Sequence, residues 1–204
     1  MNRKIIAIVL VVLAAMSFAF AGKGDSSIGV QIGSGADAFG ISSGSNSGVV
    51  MDLGFYLAGS YEYGLSDSFG LKAEIGINSF SKRVASDGKT SSTEKRDRPM
   101  SAALYAGFVY DIPIGREEMF AIDLGAGVDT LIFKLSKDAD TIASIGLGFD
   151  TTFKFNLSDQ VSITSNARIG VPLLYTNENY PKLLEKAGMQ NFTVKSSFGV
   201  VYTL

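Results

Sequence analysis

The chain has 204 residues, enough for one domain, with 18 basic and 20 acidic side chains and a formal net charge of −2. So small a net charge argues against nucleic acid as a partner, which would call for a basic stripe. The chain has no cysteine and no histidine, which excludes a disulfide framework, a thiolate metal site, a cysteine nucleophile and a lipid-carrying cysteine, and removes the usual general base near neutral pH.

The first element is MNRKIIAIVLVVLAAMSFAFAG. Arg3 and Lys4 precede an apolar run, and Ala19-Phe20-Ala21 follows it. A basic start, a short apolar stretch and an A-x-A site predict a Sec signal peptide over residues 1–21, cleaved after Ala21. The run from Ile5 to Ala15 is short for a span of ~20 residues. The remaining residues 22–204 form the expected domain, with 16 basic and 20 acidic side chains.

Past the leader the pattern is alternation. A first, weaker strand at about 27–40 sets Ile28, Val30 and Ile32 against Gly29, Gln31 and Gly33. From Val49 to Tyr63 the odd positions are apolar and end in aromatics, while the even ones are small or charged. Side chains of a strand alternate between faces, so each run with period two reads as one strand. The same reading holds at 69–79, 100–112, 119–132, 143–157, 161–173 and 191–204. Three connections are short: Gly64 to Ser68, Pro113 to Glu118, and Leu157 to Gln160. They carry the Asp, Ser, Gly and Pro of tight turns. Four are polar and mostly longer: Ser42 to Gly48, Ser81 to Pro99, Lys134 to Thr141, and Leu174 to Gln190. Pro181 and Gly188 can bound one or two helical turns in the last of these.

Eight strands, with short turns at one end and long loops at the other, predict an all-β fold: a closed, eight-stranded, antiparallel up-and-down transmembrane β-barrel. The bulky apolar face points to lipid, because an eight-stranded bore is just wide enough for side chains to fill. Tyr61, Tyr63, Phe69, Tyr110, Phe120, Phe155 and Tyr202 fall near the short-turn end of that face and form an expected aromatic girdle. The opposite face carries charge. Glu74, Asp150, Arg168 and Lys195 count to mid-height and are expected to form a buried ion-pair network that plugs the bore, since buried charge persists only when paired. Gly33-x-Gly35, Gly125-x-Gly127 and Gly146-x-Gly148 lie inside alternating strands with no helix behind them, so they read as lumen glycines rather than phosphate loops. No metal or cofactor site is expected. Lys82, Arg83, Lys95, Arg96 and Arg98 make the one notable charge run, a surface-loop basic cluster.

The last eight residues read SFGVVYTL. They fit the polar–x–Gly–x–x–aromatic–x–hydrophobic signal of outer-membrane proteins at Ser197, Gly199, Tyr202 and Leu204, with Leu where Phe is commonest. Together with the leader, the strands and the loop alternation, residues 22–204 resemble the small outer-membrane β-barrels of the OmpX, OmpW and opacity-protein group, including OmpA-like transmembrane domains. The resemblance implies an outer-membrane monomer with termini in the periplasm and long loops outside the cell. It also implies that the BAM assembly machinery reads residues 197–204 as an insertion signal. The implied partners are membrane lipids, lipopolysaccharide or lipid headgroups, and a host surface ligand. Enzymes known on such barrels depend on a catalytic His, so no enzyme activity is expected here. Two classes remain: a structural or surface-interaction protein (adhesion or envelope integrity) working through its loops, and an OmpW-like narrow channel for small hydrophobic molecules, which would need an apolar lumen.

Overall fold

Alternation in the sequence becomes strand in the structure almost without interruption. The computed structural model describes residues 24–43, 46–86, 91–95, 100–115, 119–133, 141–176 and 190–204. Its strands are β1 (Ser26–Ser43), β2 (Asn46–Ser66), β3 (Phe69–Ser86), β4 (Ser91–Lys95), β5 (Ser101–Ile114), β6 (Phe120–Phe133), β7 (Ile142–Asn156), β8 (Val161–Tyr175) and β9 (Gln190–Thr203). Eight of them close a ring in the order β1-β2-β3-β5-β6-β7-β8-β9, every pair antiparallel. Closure is made by β1 on β9, in register from Ser27↔Thr203 to Gly40↔Gln190. Hydrocarbon offers no hydrogen bonds to a free strand edge, and a closed ring has none.

Two connections differ from the sequence reading. β1 and β2 run to within two residues of each other, so the expected loop from Ser42 to Gly48 is a tight hairpin. The expected loop from Ser81 to Pro99 carries β3 on to Ser86 and then β4, which pairs with β3 from Lys82↔Lys95 to Ser86↔Ser91. Serine, threonine and charged residues hide a strand when the run lacks an apolar face, because periodicity then has nothing to mark. The leader and the helical turns expected around Pro181 to Gly188 lie outside the described residues.

The two faces sort by chemistry, and the outer one is apolar. Val30 is 64 % exposed, Ile75 63 % and Phe198 65 %, whereas Arg168 is 2 % and Asp150 3 % exposed. An apolar belt of this extent has no place in water and suits lipid. Two bulges reset the alternation. Leu53 pairs with Lys82 and Gly54 with Phe80, so Ser81 is the extra residue. Asn78 and Phe80 therefore lie inside below the bulge, and Arg83 lies inside above it. On β8, Ile145 pairs with Leu174 and Gly146 with Pro172, leaving Leu173 extra. Proline has no N–H to give a ladder, and a bulge is where a barrel tolerates it.

Candidate functional site

The bore holds three tiers of charge. The first lies near the short turns, where Lys154 Nζ is 2.7 Å from Asp123 Oδ2, 3.1 Å from Glu62 Oε1 and 3.6 Å from Asp111 Oδ2. The third lies toward the loops, where Arg83 Nε and Nη2 donate to the carboxylate of buried Asp52 at 2.7 and 3.0 Å.

The middle tier is the densest. Arg168 donates through Nη1 and Nη2 to Glu74 Oε1 and Oε2 at 2.7 and 2.8 Å, a bidentate pair. Its Nη2 is also 3.7 Å from Asp150 Oδ2. Lys72 Nζ donates to Asp150 Oδ2 at 2.5 Å and to Thr152 Oγ1 at 3.2 Å. Asn166 Nδ2 donates to Asp150 and to Thr152, and the Tyr56 hydroxyl donates to Glu74. One step nearer the loops, Lys195 Nζ donates to Asp129 Oδ1 at 3.2 Å. Three carboxylates here face three cations, so the tier is neutral as a whole.

These bonds cross the bore. β3 and β8 stand four places apart in a ring of eight, so Glu74 and Arg168 reach each other across the full diameter. Lys154 on β7 and Glu62 on β2 do the same one tier lower. Two tyrosines complete the filling. The Arg168 guanidinium sits 4.0 Å from the centroid of the Tyr105 ring, and Lys195 Nζ 5.6 Å from that of Tyr56. Glycines make the space. A Cβ on Gly76 would stand 2.5 Å from the Tyr56 ring, and one on Gly148 3.0 Å from the Tyr105 ring. Gly125 has its own would-be Cβ 3.1 Å from the Tyr105 hydroxyl. Nearer the loops the filling turns apolar, with Ala103, Leu131, Phe133 and Ile142 packed around Tyr56.

Of the four charges expected at mid-height, Glu74, Asp150 and Arg168 meet, while Lys195 pairs with Asp129 instead of joining them. Lys72 and Asp129, which the sequence sets on the inner charged face without counting them to mid-height, belong to the same cluster, as do Tyr56, Tyr105 and Asn166. All five have inward parity. The signal that could have marked them is a pair of large aromatics on the small-residue face, opposite glycines of other strands.

At the short-turn end, Phe69 and Tyr110 pack edge to face with centroids 5.6 Å apart, and Phe120 lies 5.0 Å from Phe155. Each is a register pair. Tyr202 is exposed outward, and Tyr61 is half-buried with its hydroxyl 3.1 Å from Ser26 Oγ. Tyr63 departs from the expected girdle. It is buried, because the chain leading into β1 lies on it and Gly24 N–H donates to its hydroxyl at 2.7 Å. Arg83 departs from the expected surface cluster, since the Ser81 bulge turns it onto Asp52. Lys82 is exposed, and Arg96 and Arg98 lie outside the described residues. In the last strand, Ser197 Oγ donates to Gln31 Oε1 at 2.9 Å, Gly199 abuts β1, and Tyr202 and Leu204 face outward.

Among the described residues no group of three or more His, Cys, Asp or Glu side chains is arranged to hold a metal ion.

Solved structures share the architecture. Neisserial surface protein A is 16 % identical, with a TM-score of 0.51 over 86 % of this chain and 96 % of that one. The N-terminal β-barrel domain of Pseudomonas aeruginosa OprF is 13 % identical, with a TM-score of 0.51 over 89 % of this chain and all of that one. At such identities the likeness is one of fold. No curated protein sequence matches the chain. The outer membrane protein β-barrel domain family matches it over residues 5–200, nearly its whole length. With a closed eight-stranded ring, an apolar outer belt and a polar bore, the chain belongs to that family of outer-membrane barrels.

Proposed function

We propose that this barrel is plugged and non-catalytic, and that it acts as a structural or surface-interaction protein through its long loops. In this reading residues 1–21 are a signal peptide, the short turns and both termini face the periplasm, and the loops face outward. The protein is a monomer, and residues 197–204 are read by the BAM machinery during insertion. One observation carries the plug: the bidentate Glu74–Arg168 pair spans the diameter of the bore and is tied to Asp150 and Lys72. A conduction path would have to break it, and buried pairs of this kind are costly to break. The rival, a channel for small hydrophobic molecules, needs an apolar passage, and charged bridges cross this one.

Purified protein in planar bilayers is expected to give no steady single-channel steps. Steps of constant amplitude in most insertions would overturn the plug.

The loop side of the proposal rests on Lys82, Lys95, Arg96 and Arg98, a charge run suited to anionic lipid headgroups or an anionic host surface. Reversing these four to Glu is expected to lower adhesion to host cells several-fold and to flatten its dependence on salt, since the screened attraction is what has been removed. Unchanged adhesion would remove the idea.

A further inference from the structure

The bore is not filled evenly from end to end. At the short-turn end it opens into a recess. Two adjoining cavities of about 420 and 910 Å³ share Ser27, Asp67, Ser68, Asp111, Lys154 and Thr203 in their walls. Toward the loop end, Ala103, Leu131, Phe133 and Ile142 pack around Tyr56 as an apolar collar.

Among the described residues, five polar atoms of four residues between recess and collar have no hydrogen-bond partner: both carboxylate oxygens of Asp123 (Oδ2 keeps its ion contact with Lys154), Thr164 Oγ1, the Tyr105 hydroxyl and Arg168 Nε. A sixth, Asn78 Oδ1, stands at the collar, beside Tyr56 in register. Their residues are 1, 1, 2, 2 and 2 % exposed, respectively. Orphaned buried polar groups are rare in folded proteins, and several aligned along one passage point to ordered water.

The first five are aligned. On β8 the inward residues are Ser162, Thr164, Asn166 and Arg168, and Ser162 is in the wall of the recess. Each inward step along a strand is roughly 6.5–7 Å. Thr164 therefore stands one step above the recess and Arg168 three. On β6, Ala121 is in the recess wall and Asp123 is the next inward residue. The Tyr105 ring hangs toward the turns, since Cβ atoms on Gly107 and Gly125 would stand 2.6 and 3.1 Å from its hydroxyl. Its hydroxyl thus lies at the level of Gly125, one step above Asp123.

We infer that the bore is a half-channel: a water-bearing recess open at the short-turn end, running up to Arg168 and sealed from the loop end by the apolar collar. Water is its ligand, held by Asp123, Thr164, Tyr105 and Arg168. The plug of charges is then hydrated from one side only. That this side is the periplasm rests on the orientation proposed above.

The chain has no cysteine, so one introduced thiol is the only one. Thr164→Cys, Leu131→Cys and Ser158→Cys are made singly, and folding is checked by the gel shift between heated and unheated samples. Purified barrels in micelles, accessible from both ends, are treated with a small cationic methanethiosulfonate. The acidic recess, with Asp25, Glu62, Asp67, Asp111 and Asp159 in its walls, draws a cation in. A thiol in the collar reacts only through local opening, so Thr164→Cys is expected to react faster than Leu131→Cys by on the order of a hundredfold. Equal rates, or a faster collar thiol, would overturn the half-channel. If Thr164→Cys does not fold, Ser197→Cys, beside Asn166 in register, is read against the collar in the same way. Orientation is judged separately with Ser158→Cys, at the exposed β7–β8 turn. Its labelling in intact cells by a maleimide too bulky to cross the outer membrane would overturn the periplasmic assignment and leave the ratio of the other two thiols to judge the half-channel.

Discussion

Arg168→Met lowers the folding stability by about 3–5 kcal/mol, the range for removing one partner of a buried ion pair. Met roughly keeps the volume and removes the charge. It leaves Glu74 and Asp150, 5 and 3 % exposed, without the cation between them. Lys72 still reaches Asp150, but Glu74 keeps only the hydroxyl of Tyr56 among its bore partners. The Tyr105 face also loses the guanidinium 4.0 Å above it. The chain has no tryptophan, so unfolding in urea is followed by circular dichroism or by the gel shift of the folded barrel. The double variant Glu74→Gln/Arg168→Met separates the causes. If the loss comes from an uncompensated carboxylate, the double variant recovers a large part of it. If it comes from lost packing, the double variant is no better than the single. An unchanged urea midpoint for Arg168→Met would show that the pair contributes nothing to holding the barrel.

The parts legible in the sequence are those that period two can carry. Alternation along β2, from Val49 to Tyr63, identifies a strand, its two faces and which one is bulky. Ring closure follows because lipid forbids an edge. Partner identity follows less well. Arg168 and Glu74 lie 94 residues apart in sequence and meet because the ring places β3 opposite β8. Height groups Lys195 with them, yet ring position hands it to Asp129 on β6. Height is a count along one strand, whereas ring position and shear are properties of the whole sheet. Bulges are a second blind spot. One extra residue at Ser81 inverts the parity of the rest of β3, so Arg83 leaves the surface and pairs with Asp52. Nothing local in Phe80-Ser81-Lys82 announces it. Tyr63 illustrates a third limit. Its parity is outward as expected, but exposure also depends on what lies on top, here the backbone at Gly24.

Deleting Tyr202, Thr203 and Leu204 is expected to leave the protein secreted but absent from the outer membrane. Two effects have to be told apart. The three residues are part of the closing ladder: Tyr202 pairs with Ile28 and Val161, and Thr203 with Ser27. Thr203 N–H donates to Gln160 O at 2.8 Å, and Leu204 N–H to Ser26 O at 2.7 Å. Each such bond is worth about 0.5–1.5 kcal/mol net, so their loss weakens the seam without undoing a ladder that continues up to Gly40↔Gln190. Refolding of the truncated chain from urea into micelles should therefore succeed, with a lowered midpoint. If residues 197–204 are also the address read during insertion, the defect in cells is far larger than that loss of stability, and the protein accumulates unassembled in the periplasm. Tyr202→Ala sharpens the contrast, because it keeps every backbone hydrogen bond and removes only the outward ring. It is expected to refold almost as wild type in micelles and still to assemble poorly in cells. Normal outer-membrane levels of the truncated chain would leave SFGVVYTL as a closing strand and nothing more.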